Sequence, residues 1–70
     1  MSKHIKRSEI GEKIREIRRA HGETQRQLAR AINCTESAVA NYETGYRKVD
    51  VQTLLLIARH YGLTVDDLIS

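Results

Sequence analysis

Apolar residues recur at helical spacing in five separate stretches of the chain. In the first stretch Ile10, Ile14 and Ile17 lie at i, i+4 and i+7, so they share one face of a helix. The alternating pattern of a half-buried strand is missing, as are the Asn-Gly and Asp-Gly pairs of hairpin turns. The other predicted core positions are Leu28, Ala29 and Ile32, then Ala38, Val39 and Tyr42, then Leu54, Ile57, Ala58 and Tyr61. In the fifth stretch Leu63 and Leu68 are placed to form a hydrophobic staple. The pattern predicts an all-α fold of five short helices.

Each predicted helix carries residues that are typical of its ends. The predicted N-caps are Ser8, Thr24, Thr35, Asp50 and Thr64, whose side chains can accept a hydrogen bond from a free backbone N–H. Gln27 and Asp67 follow their caps by three residues and complete capping boxes. The residues expected to end the first four helices in a left-handed conformation are Gly22, Asn33, Gly45 and Gly62. Short loops between such helices favour a compact bundle.

The segment from Thr24 to Gly45 holds two short helices joined by a tight turn. That turn is Asn33-Cys34-Thr35, and it begins with a residue that tolerates the left-handed conformation. Two helices at this spacing are typical of a DNA-binding helix-turn-helix, in which the second helix enters the major groove. Helix bundles without a DNA-binding role contain tight helix pairs as well, so the geometry leaves both interpretations open.

Several strings in this segment and after it resemble the Cro and phage-repressor family of helix-turn-helix proteins (the XRE type). They are Thr24-Gln25-Arg26-Gln27-Leu28-Ala29, Ser37 to Val39, Asn41-Tyr42-Glu43-Thr44-Gly45, Gln52-Thr53-Leu54-Leu55, Ala58, and the tail from Tyr61 to Leu68. The resemblance covers about residues 9–69. It implies a compact five-helix, lambda-repressor-like DNA-binding domain with its helix-turn-helix at helices 2 and 3. Departures from the family are local: Asn33 replaces the usual Gly, Thr44 a common Asn, and Val49 a common Pro.

The resemblance also implies which residues contact DNA. Those expected to face base edges are Glu36, Ser37, Ala40 and Asn41, with Asn41 suited to adenine, Glu36 to cytosine N4 and Ala40 to a thymine methyl. Phosphate contacts are expected from Gln25, at the start of helix 2, and from Tyr46, Arg47 and Lys48 in the loop after helix 3. Alternatives remain: Glu36 also suits the dipole of a helix start, and the loop also fits a solvated surface.

Two further residues are expected to be structural rather than DNA-reading. In the family, an arginine of helix 1 pairs with a glutamate of helix 3, and the matching residues here are Arg18 and Glu43. Gly11, inside helix 1, costs about 1 kcal/mol of helix propensity relative to alanine. Close approach of another helix would explain that glycine.

Charge is distributed unevenly along the chain. Residues 1–49 contain eleven basic and six acidic residues, a net charge of +5, whereas residues 50–70 contain one basic and three acidic residues, a net of −2. A basic body suits a polyanionic partner, although solvated surface charge fits as well. We divide the chain into a basic N-terminal arm, residues 1–8, and a DNA-binding domain, residues 9–70. The arm, with Lys3, His4, Lys6 and Arg7, is expected either to reach along DNA or to be a frayed end.

Together these features predict a sequence-specific regulator of transcription that binds double-stranded DNA. One recognition helix reads few base pairs, so we expect a homodimer on a palindromic operator, acting as a repressor. The expected dimer surface is apolar and C-terminal: Leu55, Leu56, Val65, Leu68 and Ile69. For that surface the alternative is that helix 5 simply closes the core. The competing function is a protein-interaction module, such as an antitoxin or anti-repressor, with DNA binding secondary.

Other functional classes find no support in the sequence. Three scattered histidines and one cysteine lack zinc-site spacing, and no phosphate loop or nucleophile elbow occurs, so we expect no enzyme, metal, cofactor or small-molecule ligand. Cys34 reads as a small core residue rather than a redox sensor. The N-terminus lacks a signal-peptide stretch, and the longest apolar run, Leu54–Ala58, falls far short of the ~20 residues of a membrane span. These observations predict a cytoplasmic protein.

Overall fold

The computed structural model describes residues 6–69, and every regular element within that range is an α-helix. The helices are α1 Arg7–Ala20, α2 Gln25–Ala31, α3 Glu36–Thr44, α4 Val51–Tyr61 and α5 Val65–Ile69. The five-helix, all-α prediction is therefore confirmed, with α2 and α3 forming the expected helix-turn-helix. None of the helices within residues 6–69 is long and apolar enough to cross a membrane.

Four of the five predicted N-caps are confirmed by their hydrogen bonds. Thr24 Oγ1 accepts from the Gln27 N–H at 3.1 Å, and Gln27 Oε1 accepts in return from the Thr24 N–H at 2.8 Å. Thr64 and Asp67 form the same reciprocal box at 3.2 and 2.9 Å. The remaining two caps are Thr35, which accepts from the Ala38 N–H at 3.1 Å, and Asp50, which accepts from the Thr53 N–H at 3.0 Å.

The predicted cap at Ser8 is wrong, because α1 begins at Arg7 and Ser8 lies in its first turn. The N-cap is Lys6, whose backbone N–H donates to Glu9 Oε1 at 3.3 Å. The acceptor three residues into the helix therefore decides where the helix starts. Arg7 and Ser8, placed by sequence in the basic arm, are thus helical. Lys3 and His4 lie outside the described residues.

The turn between α2 and α3 has the predicted left-handed residue. Asn33 has φ 58°, the conformation that its short polar side chain tolerates better than most. Residues 32–35 separate α2 from α3, and the two helices pack against each other. Gly22, Gly45 and Gly62 have positive φ as well, as their predicted helix-ending positions require.

The core lies between the five helices, each of which contributes buried side chains. Its fully buried side chains are Ile14, Leu28, Val39, Ile57 and Leu68. On the α3 side, α1 presents Gly11, and a Cβ atom built there would lie 2.3 Å from the Tyr42 carbonyl oxygen and 2.5 Å from that of Glu43. The predicted close approach at Gly11 is therefore confirmed: the backbones of α1 and α3 are in contact.

Candidate nucleic-acid interface

Helix α3 has one face in the core and one face toward solvent. Its inner face is formed by Ala38, Val39, Tyr42 and Glu43, all buried. The outer face carries the residues predicted to read bases: Glu36 and Ser37 are exposed, and Ala40 and Asn41 are partly exposed. The structure therefore brings these four side chains together on one surface of the helix.

The loop after α3 folds back on the C-terminal half of that helix. The Arg47 backbone N–H donates to the Asn41 carbonyl oxygen at 3.1 Å. The Arg47 guanidinium lies over the Tyr42 ring, 5.4 Å from its centroid, a distance at which cation–π attraction operates. Lys48 is exposed, as is Tyr46, whose side chain is 80% accessible. The loop therefore holds Arg47 beside α3, with the exposed Tyr46 and Lys48 next to it in the chain.

Gln25 is the first residue of α2 and is only partly exposed. Its Nε2 donates a hydrogen bond to Glu43 Oε1 at 3.0 Å. This contact joins the start of α2 to α3, and no sequence pattern predicted it. The predicted phosphate-binding residue is thus anchored to the residue predicted to form the structural ion pair.

The structure pairs Arg18 with Glu43 in a bidentate contact. Arg18 Nε lies 2.6 Å from Glu43 Oε2, and Nη2 lies 3.0 Å from Oε1. Arg18 Nη1 donates to the Glu23 carbonyl oxygen at 2.6 Å, so all three guanidinium nitrogens are satisfied. Both residues are buried, and the hydrogen bonds that Arg18 donates to Glu43 raise the pKa of Arg18. A buried charge needs such a partner, since desolvation alone would be costly.

A weaker ion pair lies at the start of α3. Arg26 Nε of α2 is 3.9 Å from Glu36 Oε1, and both side chains are more than half exposed. Such a pair contributes little to stability in water. Its consequence is electrostatic: Glu36, the one acid on the outer face of α3, has a cation beside it.

The similarity of the chain to known proteins agrees with this geometry. A family model described as helix-turn-helix matches residues 14–68, which is most of the chain. The chain belongs to the helix-turn-helix family. The Cro and phage-repressor resemblance is thereby confirmed.

Two members of the helix-turn-helix family are similar to the chain over most of its length. It is 33% identical over 61 residues to the HTH-type transcriptional regulator ImmR of Bacillus subtilis, covering 87% of this chain and 48% of ImmR. It is 29% identical over 62 residues to the HTH-type transcriptional activator BcrR of Enterococcus faecalis, covering 89% and 30%. The chain thus spans about half or less of these two relatives. Both are named as transcriptional regulators, not as enzymes.

A solved structure of the helix-turn-helix family superposes on nearly the whole chain. It is the restriction-modification controller protein C.AhdI from Aeromonas hydrophila, at a TM-score of 0.84 and 29% identity. The superposition covers 89% of this chain and 94% of that one. The lambda-repressor-like architecture expected from the sequence is therefore confirmed.

The surface predicted for dimerisation in this helix-turn-helix protein is only partly available. Leu55 and Leu56 of α4 are 44% and 40% exposed, and Val65 and Ile69 of α5 are half-buried. Leu68 must be removed from the predicted surface, because its side chain is 1% exposed and fills the core beneath α5. Sequence analysis missed Val51, which starts α4 and is 70% exposed. Its position next to a predicted cap gave no signal of exposure.

A second polar cluster of the helix-turn-helix domain ties the α1–α2 turn to the end of α4. The Tyr61 hydroxyl donates to Glu23 Oε1 at 2.6 Å, and His60 Nε2 lies 2.8 Å from Glu23 Oε2. The His21 ring stands 4.7 Å from the Tyr61 ring, centroid to centroid. Partial burial pushes the pKa of Glu23 upward, but the hydrogen bonds from Tyr61 and His60 outweigh it and leave the pKa below its ordinary value.

Cys34 lies inside the turn of the helix-turn-helix and is partly buried against the core. Its Sγ donates to the Thr35 carbonyl oxygen at 3.6 Å, and burial raises the pKa of the thiol. A protonated, partly covered thiol is a packing element rather than a nucleophile. Within residues 6–69, no group of three or more His, Cys, Asp or Glu side chains is arranged to hold a metal ion.

Proposed function

We propose that this chain is a sequence-specific, double-stranded-DNA-binding regulator that represses transcription as a homodimer on a palindromic operator. One observation carries the proposal: α3 has a largely polar face open to solvent, and the loop that folds back on Asn41 contains two exposed cations, Arg47 and Lys48. A polar helix face and nearby cations match the chemistry of DNA, whose base edges offer hydrogen-bonding groups between rows of phosphates.

Sequence reading is assigned to the outer face of α3, with Asn41 as its central residue. An asparagine amide can donate to adenine N7 and accept from adenine N6 at the same time. Glu36 at the start of the helix suits cytosine N4, Ala40 a thymine methyl, and Ser37 a base or a phosphate. Arg26 beside Glu36 offsets the repulsion between that carboxylate and the phosphates.

Phosphate binding is assigned to Gln25, at the start of α2, and to Tyr46, Arg47 and Lys48 in the loop after α3. Such contacts hold the helix in register and carry no sequence information themselves. Arg47 and Lys48 each displace about one condensed counterion, which makes affinity dependent on salt. Gln25 and Tyr46 are neutral and add hydrogen bonds without adding to that salt dependence.

Dimerisation is assigned to the exposed apolar residues of the C-terminal helices, namely Leu55, Leu56, Val65 and Ile69. A twofold-symmetric pair places two copies of α3 about one DNA turn, ~34 Å, apart. A dimer seated on its operator blocks polymerase, which is the simplest route to repression. Charge supports this orientation, since residues 50–70 carry a net charge of −2 and are best kept away from DNA.

The deciding experiment is selection of bound duplexes from a random DNA pool at near-physiological salt, followed by sequencing. We expect an enriched palindrome with half-sites about ten base pairs apart. Enrichment of a single half-site would contradict the dimer. No enrichment, together with a salt-resistant complex with a second protein, would favour the protein-interaction module instead.

Two variants separate base reading from phosphate binding on the selected duplex. Asn41→Ala should lower the preference for one base of each half-site roughly tenfold. Lys48→Ala should weaken all sequences alike and make the slope of log affinity against log salt about 0.9 less steep for each copy. Arg59→Ala, on α4 and outside the proposed surface, is the matched loss of one charge and should leave the preference and the salt slope unchanged.

A further inference from the structure

One carboxylate oxygen of Glu43 serves two donors from two different elements. Glu43 Oε1 accepts from Arg18 Nη2 of α1 and from Gln25 Nε2 of α2, each at 3.0 Å. The other oxygen, Oε2, is held by Arg18 Nε at 2.6 Å. Glu43 therefore completes a buried ion pair with Arg18 and also binds the side chain of Gln25 at the start of α2.

The chemistry of Glu43 fixes which way round the Gln25 amide lies. An ionised carboxylate only accepts hydrogen bonds, so the NH₂ end of the amide, not its oxygen, must face it. That NH₂ group has two protons, and one of them is engaged by Glu43 Oε1. In a planar amide the second proton points about 120° away from the first, so it does not face Glu43 Oε1, and the partial exposure of Gln25 leaves room for another acceptor.

Glu43 itself has little freedom to move. Arg18 holds it in two places, and Arg18 is held in turn by the Glu23 carbonyl oxygen at 2.6 Å. Among the buried side-chain nitrogen and oxygen atoms of residues 6–69, none lacks a hydrogen-bond partner. A glutamine side chain in solution samples many rotamers and loses that freedom on binding a ligand. Because Glu43 binds Gln25 in the folded protein, this rotamer freedom is lost during folding and not on ligand binding, which pre-organises the donor.

We propose that Glu43 is a positioning residue for DNA binding, which orients the amide of Gln25 so that its second N–H donates to a DNA phosphate oxygen. The inference rests on the proposed function, because it needs Gln25 to contact a phosphate. It gives the Arg18–Glu43 pair a role beyond stability: α1 contributes to DNA affinity through a relay of hydrogen bonds.

A double-mutant cycle on DNA affinity tests the proposal. Its four proteins are the wild type, Gln25→Ala, the apolar replacement Arg18→Met with Glu43→Met, and the triple variant, each measured by fluorescence anisotropy on one duplex. Gln25→Ala should weaken binding roughly tenfold for each bound copy, the value of one hydrogen bond to a charged acceptor. The apolar replacement should weaken it by a similar factor, and the triple variant should be no weaker than either.

Three outcomes would overturn the proposal. Multiplied losses in the triple variant would show that Glu43 and Gln25 act independently, and the proposed function would stand. A change in salt slope on Gln25→Ala would also count against it, since a neutral amide displaces no counterion; Lys48→Ala marks the slope change that a charged contact gives. Absence of duplex binding by the wild type would overturn this inference and the proposed function together.

The wild-type protein offers a second test that needs no substitution. In ¹⁵N relaxation measurements on the free protein, the Gln25 side-chain amide should have an order parameter near that of rigid backbone, about 0.85. Gln52, an exposed glutamine of α4, is the control and should fall below about 0.6. A Gln25 amide as mobile as that of Gln52 would overturn the idea that Glu43 holds it in place.

Discussion

Two polar clusters in this protein have nearly the same hydrogen-bond lengths and very different surroundings. Between α1 and α3, Arg18 and Glu43 meet at 2.6 Å with side chains that are 9% and 2% exposed. Between the α1–α2 turn and α4, His60 and Glu23 meet at 2.8 Å with side chains that are 29% and 22% exposed. Distance alone would rank the two contacts as equals.

The difference in burial assigns them different roles. Arg18 and Glu43 have little water to replace a lost partner, so each depends on the other, and their position against the α1–α3 backbone contact makes them part of the frame that carries α3. Glu23, His60 and Tyr61 keep access to water, so the loss of one partner is largely compensated. Their cluster secures a surface junction and responds to pH. Four predictions probe this contrast.

The largest expected effect is the loss of one member of the buried pair. Arg18→Met should lower the free energy of unfolding by about 3–5 kcal/mol, because Glu43 keeps its charge without a partner. In a domain of this size, that is a large part of the total stability. Urea denaturation followed by circular dichroism would measure it. The Arg18→Met, Glu43→Met double variant is the control and should recover most of the loss; a loss below about 1 kcal/mol for Arg18→Met would show that Glu43 is effectively solvated.

The next effect concerns the backbone contact beside that pair. Gly11→Ala should cost about 2–3 kcal/mol, because the new methyl group would overlap the carbonyl oxygens of Tyr42 and Glu43 and force α1 away from α3. Gly22→Ala is the matched control: a Cβ there meets nothing within 4 Å, and only its positive φ resists, at about 1 kcal/mol. Thermal unfolding of both variants compares them. Equal losses would contradict a special role for the α1–α3 contact.

A smaller effect is expected in the second cluster. Tyr61→Phe removes the hydroxyl that donates to Glu23 and should cost about 1 kcal/mol, since water can partly replace the bond. Tyr46→Phe removes a hydroxyl from a side chain that is 80% exposed and should leave stability unchanged. Urea midpoints of the two variants provide the measurement. A cost for Tyr61→Phe as large as that for Arg18→Met would abolish the contrast between the clusters.

The smallest effect appears only in acid. Because the pKa of Glu23 is lower in the folded than in the unfolded chain, its contribution to stability is present above the unfolded pKa, about 4.3, and is lost as pH falls through the folded pKa. Glu23→Gln should therefore reduce the loss of melting temperature between pH 5 and pH 3. The Asp50 and Asp67 caps, whose pKa values their Thr53 and Thr64 hydrogen bonds lower, remain in both proteins and set the common background. An equal loss of melting temperature in the wild type and in Glu23→Gln would contradict this role of Glu23.

The features of this molecule that depend on interactions between near neighbours in the chain were predictable from the sequence. Thr24, Thr35, Asp50 and Thr64 cap helices through contacts within three residues, and Asn33 adopts its turn by its own backbone preference. The cap predicted at Ser8 was wrong because the hydrogen bond from the Lys6 N–H to Glu9 places the N-cap two residues earlier. The order of helices and the outer face of α3 followed from spacing.

The contacts that sequence analysis missed join residues far apart in the chain. Gln25 and Glu43 are 18 residues apart, and Glu23 is separated from His60 by 37 residues. No periodicity links such positions, since helix packing decides which side chains meet. The placement of Leu68 on the dimer surface was wrong for the same reason: an apolar residue in a terminal helix gives the same sequence pattern whether it packs on the core or on a second protein. Packing of α5 against α1 and α4 resolves that ambiguity.

The thiol in the turn between α2 and α3 makes the protein its own reporter. Cys34 is the one cysteine of the chain, so a thiol-selective alkylating reagent labels a single site. Its partial cover and raised pKa slow that labelling in the folded state, and each opening of the turn exposes the sulfur for a moment. The labelling rate therefore reports local opening of the helix-turn-helix, without a fluorophore or an engineered residue.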